Sequence, residues 1–521
     1  ASARAARSAP LLPRQLDRRQ DSMLAPWVLL SLLPYVSGVH VAFVAPPASH
    51  YVPMLPVAHA LLDEGHQVTF LGYAETTAKL AKLVPGARMA TFKESLNLKN
   101  KDMIKIIQKI PYGASQIFTN FAILMINNIV GGPIALSAKA MLEDIKPDVL
   151  CVSYIYPIHY ALAESLGVPV VGVGWASPSF LTTQLDLPWS TEPHIGTIHA
   201  RSELFKSPVL MLENCLVRML SFVFLRVGSL VNSVFRYRIG HPDPLEPWEF
   251  DTVLQHPMVA MTLPELTAGM PSLVSPYTFM VGILDHPGLG GSSIAKSDDA
   301  ERIMAWLDAK KAEGKDVFYF AFGSEVFVDD KMAQFLANAF RDSGLTVLWA
   351  NKAKPNVALP DSVLYTKFAP QRAVLQHPAV VAFLSHGGAN SVNEGLMTGT
   401  PMVIMPFFGD QMAVGAAQQE LGVARLVRKD AWDGDALIAA LREVAAEPIR
   451  SRAQEVKRLN EERKDMSRAV QVITNQATGK FTLHIPRPPL LLRLATLALS
   501  LALAALCCNA CCCCRLGLQR P

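Results

Sequence analysis

At 521 residues the chain exceeds one ordinary hydrophobic core, so two domains are expected. Its formal net charge is +4, concentrated in residues 1–22, and no basic stripe with interleaved aromatics marks a nucleic-acid surface. A mean hydropathy of +0.24 is high for a soluble enzyme and points toward a membrane.

Met23 opens a short apolar core that ends in small residues at Gly38, the pattern of a secretory signal peptide, with residues 1–22 read as sequence upstream of the true start. A buried strand or helix is the alternative. Residues 39–45 predict the first buried strand, 46–50 a loop, and 53–64 a helix with Leu55, Ala58, Leu61 and Leu62 on one face. A second strand follows at 68–71, and the βαβ rhythm implies a parallel sheet. Residues 102–142 are long, apolar and helical in pattern, with interruptions expected at 111–113 and 131–133. Strands are expected at 149–152 and 168–173. Residues 209–238 read as a helix with more apolar positions than one amphipathic face needs, which fits an acceptor pocket, a membrane contact or a buried hairpin.

Residues 281–284 close the first half, and 285–296, rich in Gly, Ser and Pro, read as a linker. The strand pattern restarts at 317–322 and continues at 346–350, 380–384 and 402–405. The one literal Asp-x-Asp, Asp433-Gly434-Asp435, reads as the capped start of a helix from Ala436 and not as a metal site. Residues 448–475 read as a charged helix that packs back across to the first domain. Residues 494–514 hold 21 positions without a charge, enough at ~1.5 Å per residue to cross a ~30 Å bilayer core, so a transmembrane helix is expected over 490–514. Six of the eight cysteines lie at 507–514, which is no disulfide framework; they read as a membrane-edge tract open to S-acylation or as small apolar filler.

The stretch 383–411 carries the most chemistry. A strand ends at Ser385-His386-Gly387-Gly388, where the backbone can turn tightly and approach a ligand. A helix is expected from Ala389, with Asn390 and Ser391 in its first turn and Glu394 two turns along. Its free N–H groups and positive dipole end suit a pyrophosphate. A second strand delivers Gly409-Asp410-Gln411 to the same sheet edge, where open α/β sheets bind ligands.

This segment resembles the donor-binding signature of the UDP-dependent glycosyltransferases of the two-domain GT-B fold. Phe368-Ala369-Pro370-Gln371 and Leu375-Gln376-His377-Pro378 look like the Trp-x-Pro-Gln and Leu-x-His-Pro runs that precede it there, and Phe322-Gly323-Ser324 looks like the motif opening that family's C-terminal domain. The resemblance spans about residues 39–475 and is sharp in the C-terminal half. It implies an α/β fold of two Rossmann-like doubly wound domains facing a cleft, with a UDP-sugar as co-substrate, no metal and no other cofactor. The implied domains are an acceptor-binding domain over 39–284, a donor-binding domain over 297–447, and a crossover helix and tail over 448–486.

The resemblance assigns phosphate contacts to Ser324, His386, Gly388, Asn390 and Ser391, uracil packing to Phe368 and Gln371, ribose hydroxyls to Glu394, and sugar hydroxyls to Asp410 and Gln411. Phe368 keeps an apolar plate where the family has Trp but loses the indole N–H. His50, in the loop after the first strand, is the candidate base, since a neutral imidazole accepts a hydroxyl proton near pH 7. The family orients this histidine with an aspartate; this chain has Ser153 there, which can accept the ring N–H but brings no negative charge. Asp148 lies too far away at the strand start, and His159 is a remote stand-in. His59 and His66 read as structural.

The expected activity is inverting, metal-independent transfer of glucose or glucuronate from a UDP-sugar to a small lipophilic acceptor. The expected setting is a single-pass membrane protein with its body in the endoplasmic reticulum lumen. A catalytically weakened UDP-sugar binder and a glycolipid-assembling transferase are the alternatives.

Overall fold

The computed structural model describes residues 38–46, 50–93, 105–110, 116–175, 193–194, 199, 201–247, 253, 256–267, 275–285, 298–323, 326–479 and 489–517. The expected signal peptide as far as residue 37, the interruption expected at 111–113, the linker from residue 286 and Ser324 lie outside these residues. Residues 39–521 group as one unit.

The N-terminal lobe is built on a seven-stranded parallel sheet ordered β3-β2-β1-β4-β5-β6-β7. Its strands are β1 (His40–Val44), β2 (Gln67–Gly72), β3 (Arg88–Thr91), β4 (Val149–Val152), β5 (Val170–Gly174), β6 (Met258–Ala260) and β7 (Thr278–Met280). Its helices are α1 (Met54–Asp63), α2 (Ala74–Leu83), α3 (Gln116–Ile145), α4 (Pro157–Leu166), α5 (Arg201–Leu204) and α6 (Pro208–Arg238). The C-terminal lobe repeats the plan on six parallel strands ordered β10-β9-β8-β11-β12-β13. These are β8 (Val317–Ala321), β9 (Thr346–Ala350), β10 (Val363–Thr366), β11 (Val380–Ser385), β12 (Met402–Ile404) and β13 (Ala424–Leu426). They alternate with α7 (Asp298–Ala312), α8 (Asp330–Ser343), α9 (Gln371–Gln376), α10 (Ala389–Thr398), α11 (Gln411–Leu421) and α12 (Gly434–Ala445).

Central strands buried on both faces explain why they read as unbroken apolar runs. In β1, Ala42 and Val44 enter one core layer while Val41 and Phe43 enter the other. In β8, Val317, Tyr319 and Ala321 face one layer and Phe318 and Phe320 the other. Each sheet reverses strand order beside its first strand, at β1/β4 and at β8/β11. Such switch points open a crevice at the carboxyl ends of the strands. The β1 and β4 ends lead to His50 and Ser153; the β8 and β11 ends lead to Gly323 and His386.

Three expectations need correction. No interruption occurs at 131–133: α3 runs through Pro133. The two glycines there make room, because a Cβ on Gly131 would stand 2.8 Å from the Tyr156 ring and one on Gly132 would stand 2.3 Å from the Phe235 ring. Residues 448–475 form two helices, α13 (Ile449–Arg463) and α14 (Met466–Ala477), and the second starts where the Asp465 side chain accepts the Arg468 amide at 2.8 Å. At this break the chain crosses back: the Asp465 amide donates to the Val281 carbonyl, and Ala469, Val470, Val472 and Ile473 join the N-terminal core.

The third concerns the membrane. The C-terminal helix forms as α15 (Leu490–Gly517), but its described apolar run is Leu490–Leu503. Among the described residues the helix long and apolar enough to cross a bilayer is α6, mid-chain, with 28% of its most apolar window buried. The two helices pack together, and Arg493 holds the base of α15 to Asp243 and to the Leu245 carbonyl.

Candidate active site

The glycine-rich turn after β11 closes around one imidazole. His386 is buried, and a Cβ on Gly388 would stand 2.3 Å from its Nε2 while a Cβ on Gly323, at φ +67°, would stand 2.7 Å from its Cε1. The ring is therefore gripped between the turns that follow β8 and β11. Its Nδ1 has no hydrogen-bond partner, and burial pushes the imidazole down to about 4. An orphaned ring nitrogen beside the amino end of α10 fits an anion that the helix dipole also attracts.

Gln371, at the start of α9, gathers the next residues. Its Nε2 donates to Ser391 Oγ at 3.1 Å and to Glu394 Oε2 at 2.6 Å, while Tyr319 donates to its Oε1 at 3.3 Å. Burial pushes the Glu394 carboxyl up, against the bond from Gln371 and the nearby Arg372. Phe368, 54% exposed, presents an open ring beside this group, as expected of a base-stacking plate. On the β12 side, desolvation raises the Asp410 carboxyl to about 6. Gln411 is committed inward: its Oε1 accepts the Phe407 and Phe408 amides at 2.8 and 3.2 Å, so only its amino end is left for a ligand. The structure thus brings Phe368, Gln371, His386, Gly388, Asn390, Ser391, Glu394, Asp410 and Gln411 to one sheet edge.

In the other lobe, His50 is exposed to solvent, and the part of its hydration that it loses lowers its imidazole below the ordinary value. Its neighbour is aromatic. The Tyr156 ring stands perpendicular to it with centroids 6.3 Å apart, and His159 stacks on the far side of Tyr156 at 5.1 Å. Ser153 is buried, and no hydrogen bond among the described residues joins it to His50. Asp148 is spent at the opposite end of β4, accepting the His40 amide at 2.7 Å. His59 and His66 are structural as expected: the His59 ring contacts the Leu83 carbonyl at 2.8 Å, and His66 Nδ1 accepts the Val39 amide at 3.1 Å. Asp433 caps α12 by accepting the Ala436 amide at 2.9 Å, so half of the Asp-x-Asp pair is used in the helix start.

Several site neighbours escaped the sequence reading. Tyr154 and Trp175 reach the cleft from the ends of β4 and β5. Lys429 is buried where it donates to the Gln108 carbonyl of the N-terminal lobe at 2.7 Å and to the Phe407 carbonyl at 2.6 Å. It braces the loop that carries Asp410, and burial lowers its ammonium to about 8. The available signal was glycine inside a buried strand, Gly172 and Gly174 of β5, which marks a close approach by another group.

Burying neutral imidazoles makes the fold acid-labile. His159, His194 and His386 are held at about 4, 3 and 4, chiefly by burial, with Arg218 adding to the effect at His194. Their folded values lie below the ordinary value, so the unfolded chain binds more protons as pH falls from ~6.5 toward 4. Asp410, raised to about 6, opposes this between pH ~6 and 4. Each histidine is expected to withdraw about 2 kcal/mol at pH 5 relative to pH 7, which urea midpoints at the two pH values would read.

Two parallel-sheet α/β lobes joined in this order have the architecture of the GT-B glycosyltransferase fold. Solved structures agree on the fold: the crystal structure of the glycotransferase of kitacinnamycin superposes with a TM-score of 0.60 at 18% identity, covering 84% of this chain and 99% of that one. Residues 251–470 match the family described as UDP-glucoronosyl and UDP-glucosyl transferase. UDP-glucuronosyltransferase 1A5 of Rattus norvegicus is 24% identical over 404 residues, covering 74% of this chain and 72% of the relative. Anthocyanidin 3-O-glucosyltransferase of Zea mays is 27% identical over 412 residues, covering 71% and 81%. The family match over residues 251–470 and these relatives support a UDP-glycosyltransferase family member and a glycosyltransferase enzyme.

Proposed function

We propose that the chain transfers glucose or glucuronate from a UDP-sugar to a hydroxyl of a small lipophilic acceptor, with inversion and without a metal. The observation that supports the reading is the glycine-gripped cradle at His386, at the carboxyl edge of one sheet, with His50 just past the carboxyl end of the first strand of the other. The uracil would stack on Phe368, the ribose would meet Glu394 beside Gln371, and the diphosphate would lie at the amino end of α10 with His386, Asn390 and Ser391. Helix dipole and fixed donors would then stabilise departing UDP, the task a metal performs elsewhere. The sugar hydroxyls would meet Asp410 and the Gln411 amino group. His50 would take the acceptor proton as the oxygen attacks the anomeric carbon in line, and a single displacement inverts that carbon.

Membrane attachment is supported by α6 and the α15 helix packed on it; a body in the endoplasmic reticulum lumen is part of the proposal. A weakened transferase is the second reading, favoured by the aromatic surroundings of His50 where the family places a carboxylate. Mass spectrometry of UDP-glucose and UDP-glucuronate incubated with the full chain and a panel of lipophilic alcohols tests the proposal. Release of UDP with a glycosylated alcohol is expected; UDP binding without transfer to any alcohol would sink it.

A further inference from the structure

The β5 sequence Val170-Val171-Gly172-Val173-Gly174-Trp175 carries an unusual feature for a buried central strand: two glycines just before a tryptophan. Glycine weakens a strand, so its presence there asks what lies against it. The answer at Gly174 is Tyr154, whose ring occupies the space a side chain would need: a Cβ there would stand 2.3 Å from the ring. Thus seated, Tyr154 donates its hydroxyl to the Trp175 carbonyl. Trp175, held at its backbone, packs against core residues of both lobes and donates its indole N–H to Asn390 Oδ1 in the first turn of α10. The Asp410 carboxylate is also close enough to Tyr154 to reinforce the rise in its phenol that burial produces.

An indole N–H only donates, and an asparagine amide has one accepting and one donating end. The bond from Trp175 therefore decides which way the Asn390 amide faces. With Oδ1 turned to the indole, the donating amino group is turned away from it.

We propose that Trp175 is a positioning residue for the donor: delivered across the cleft by the N-terminal lobe, its indole N–H fixes the Asn390 amide so that its amino end faces the UDP diphosphate. The order of dependence runs from Gly174 to Tyr154, from Tyr154 to Trp175, and from Trp175 to Asn390. The acceptor lobe thereby completes a donor site whose remaining members all come from the other lobe. Donor affinity then depends on the two lobes being together. This inference rests on the reading that UDP occupies the cradle.

Calorimetric titration of UDP into the full chain tests it, with W175F, N390A and the double variant. W175F keeps a ring in place and removes the donor. It is expected to weaken UDP binding about fivefold to tenfold, the effect of losing one hydrogen bond that orders a ligand contact. N390A is expected to weaken binding at least as much, and W175F added to N390A is expected to change nothing further, because the amide it orients is gone. A purely structural role for Trp175 would instead lower the melting temperature and add to the N390A effect. In turnover assays W175F is expected to raise the UDP-sugar KM and to leave kcat near the wild-type value. If the wild-type chain binds no UDP, the transferase reading fails and this inference with it. If the wild type binds and W175F binds equally or more tightly, the inference alone is overturned. Should W175F yield no folded protein, Y154F carries the test, since it removes only the hydroxyl that holds the Trp175 carbonyl. It is expected to weaken UDP binding about twofold to threefold, and an unchanged affinity overturns the inference.

Discussion

His50→Ala is expected to lower kcat by about 10²–10⁴-fold, the usual contribution of a positioned base, while UDP affinity stays close to that of the wild type. Single-turnover transfer and calorimetric binding would separate the two, and an unimpaired transfer rate would remove His50 from the mechanism. The pH profile carries the finer test. Partial loss of hydration lowers this imidazole below the ordinary histidine value. The acid limb of kcat/KM is therefore expected below the ordinary histidine value of ~6.5. A neutral base across the physiological range is the benefit; a weak base is the cost, because proton transfer slows as basicity falls. Ser153→Asp addresses that cost. A carboxylate at the end of β4, beside the strand that leads to His50, would favour the imidazolium, move the acid limb upward and raise kcat by about tenfold. A base already served adequately by the Tyr156 ring would leave S153D no faster than wild type.

The histidine environment marks where the sequence stopped being informative. Reading Ser153 as the replacement for a carboxylate depended on the family resemblance and on its place just after the strand at 149–152. The perpendicular Tyr156 ring and His159 behind it depend on how α4 and α3 pack, and that packing follows from Gly131, whose missing side chain admits the tyrosine. Gly131-Gly132-Pro133 read as a break because glycine and proline are poor in helix interiors. Tertiary packing overrode that propensity, and the same two glycines became slots for Tyr156 and Phe235.

The cradle was more legible because its determinants are local. Strand end, glycine turn and helix start fall within a few residues of His386, and α10 begins at Ala389 as the pattern predicts. The long central strands were equally clear, since burial on both faces leaves continuous apolar runs. The short edge strands β3, β7, β10 and β13 carried no such run and were missed. Gln411 shows the limit of motif reading: its carbonyl end serves two backbone amides in its own loop, a demand invisible to the spacing. Trp175, Lys429 and Gln108 act between lobes, and no local pattern announces a contact that distant in sequence.

Gly388→Ala is expected to be the most damaging small substitution in the cradle, weakening UDP binding by about 100-fold or more. The backbone is not the obstacle, for φ −64° and ψ 137° suit any residue. The obstacle is the imidazole: the new methyl would lie 2.3 Å from His386 Nε2 and 2.9 Å from its Cε1, and a buried ring cannot yield without leaving the site. Overpacking of this kind costs about 1–3 kcal/mol, and expelling His386 also removes a phosphate partner. Gly323→Ala meets the same ring from the opposite side at 2.7 Å and adds the strain of φ +67°, about 1–2 kcal/mol for a residue with a Cβ. The two substitutions should therefore converge on one cause, which a double variant isolates. In G388A/H386A the methyl has room, so the melting temperature is expected to recover most of what G388A alone loses, while UDP affinity remains low because the imidazole is absent. Recovery of stability without recovery of binding would show the glycines to be spacers for His386; failure of stability to recover would trace the damage to the backbone of the turn itself.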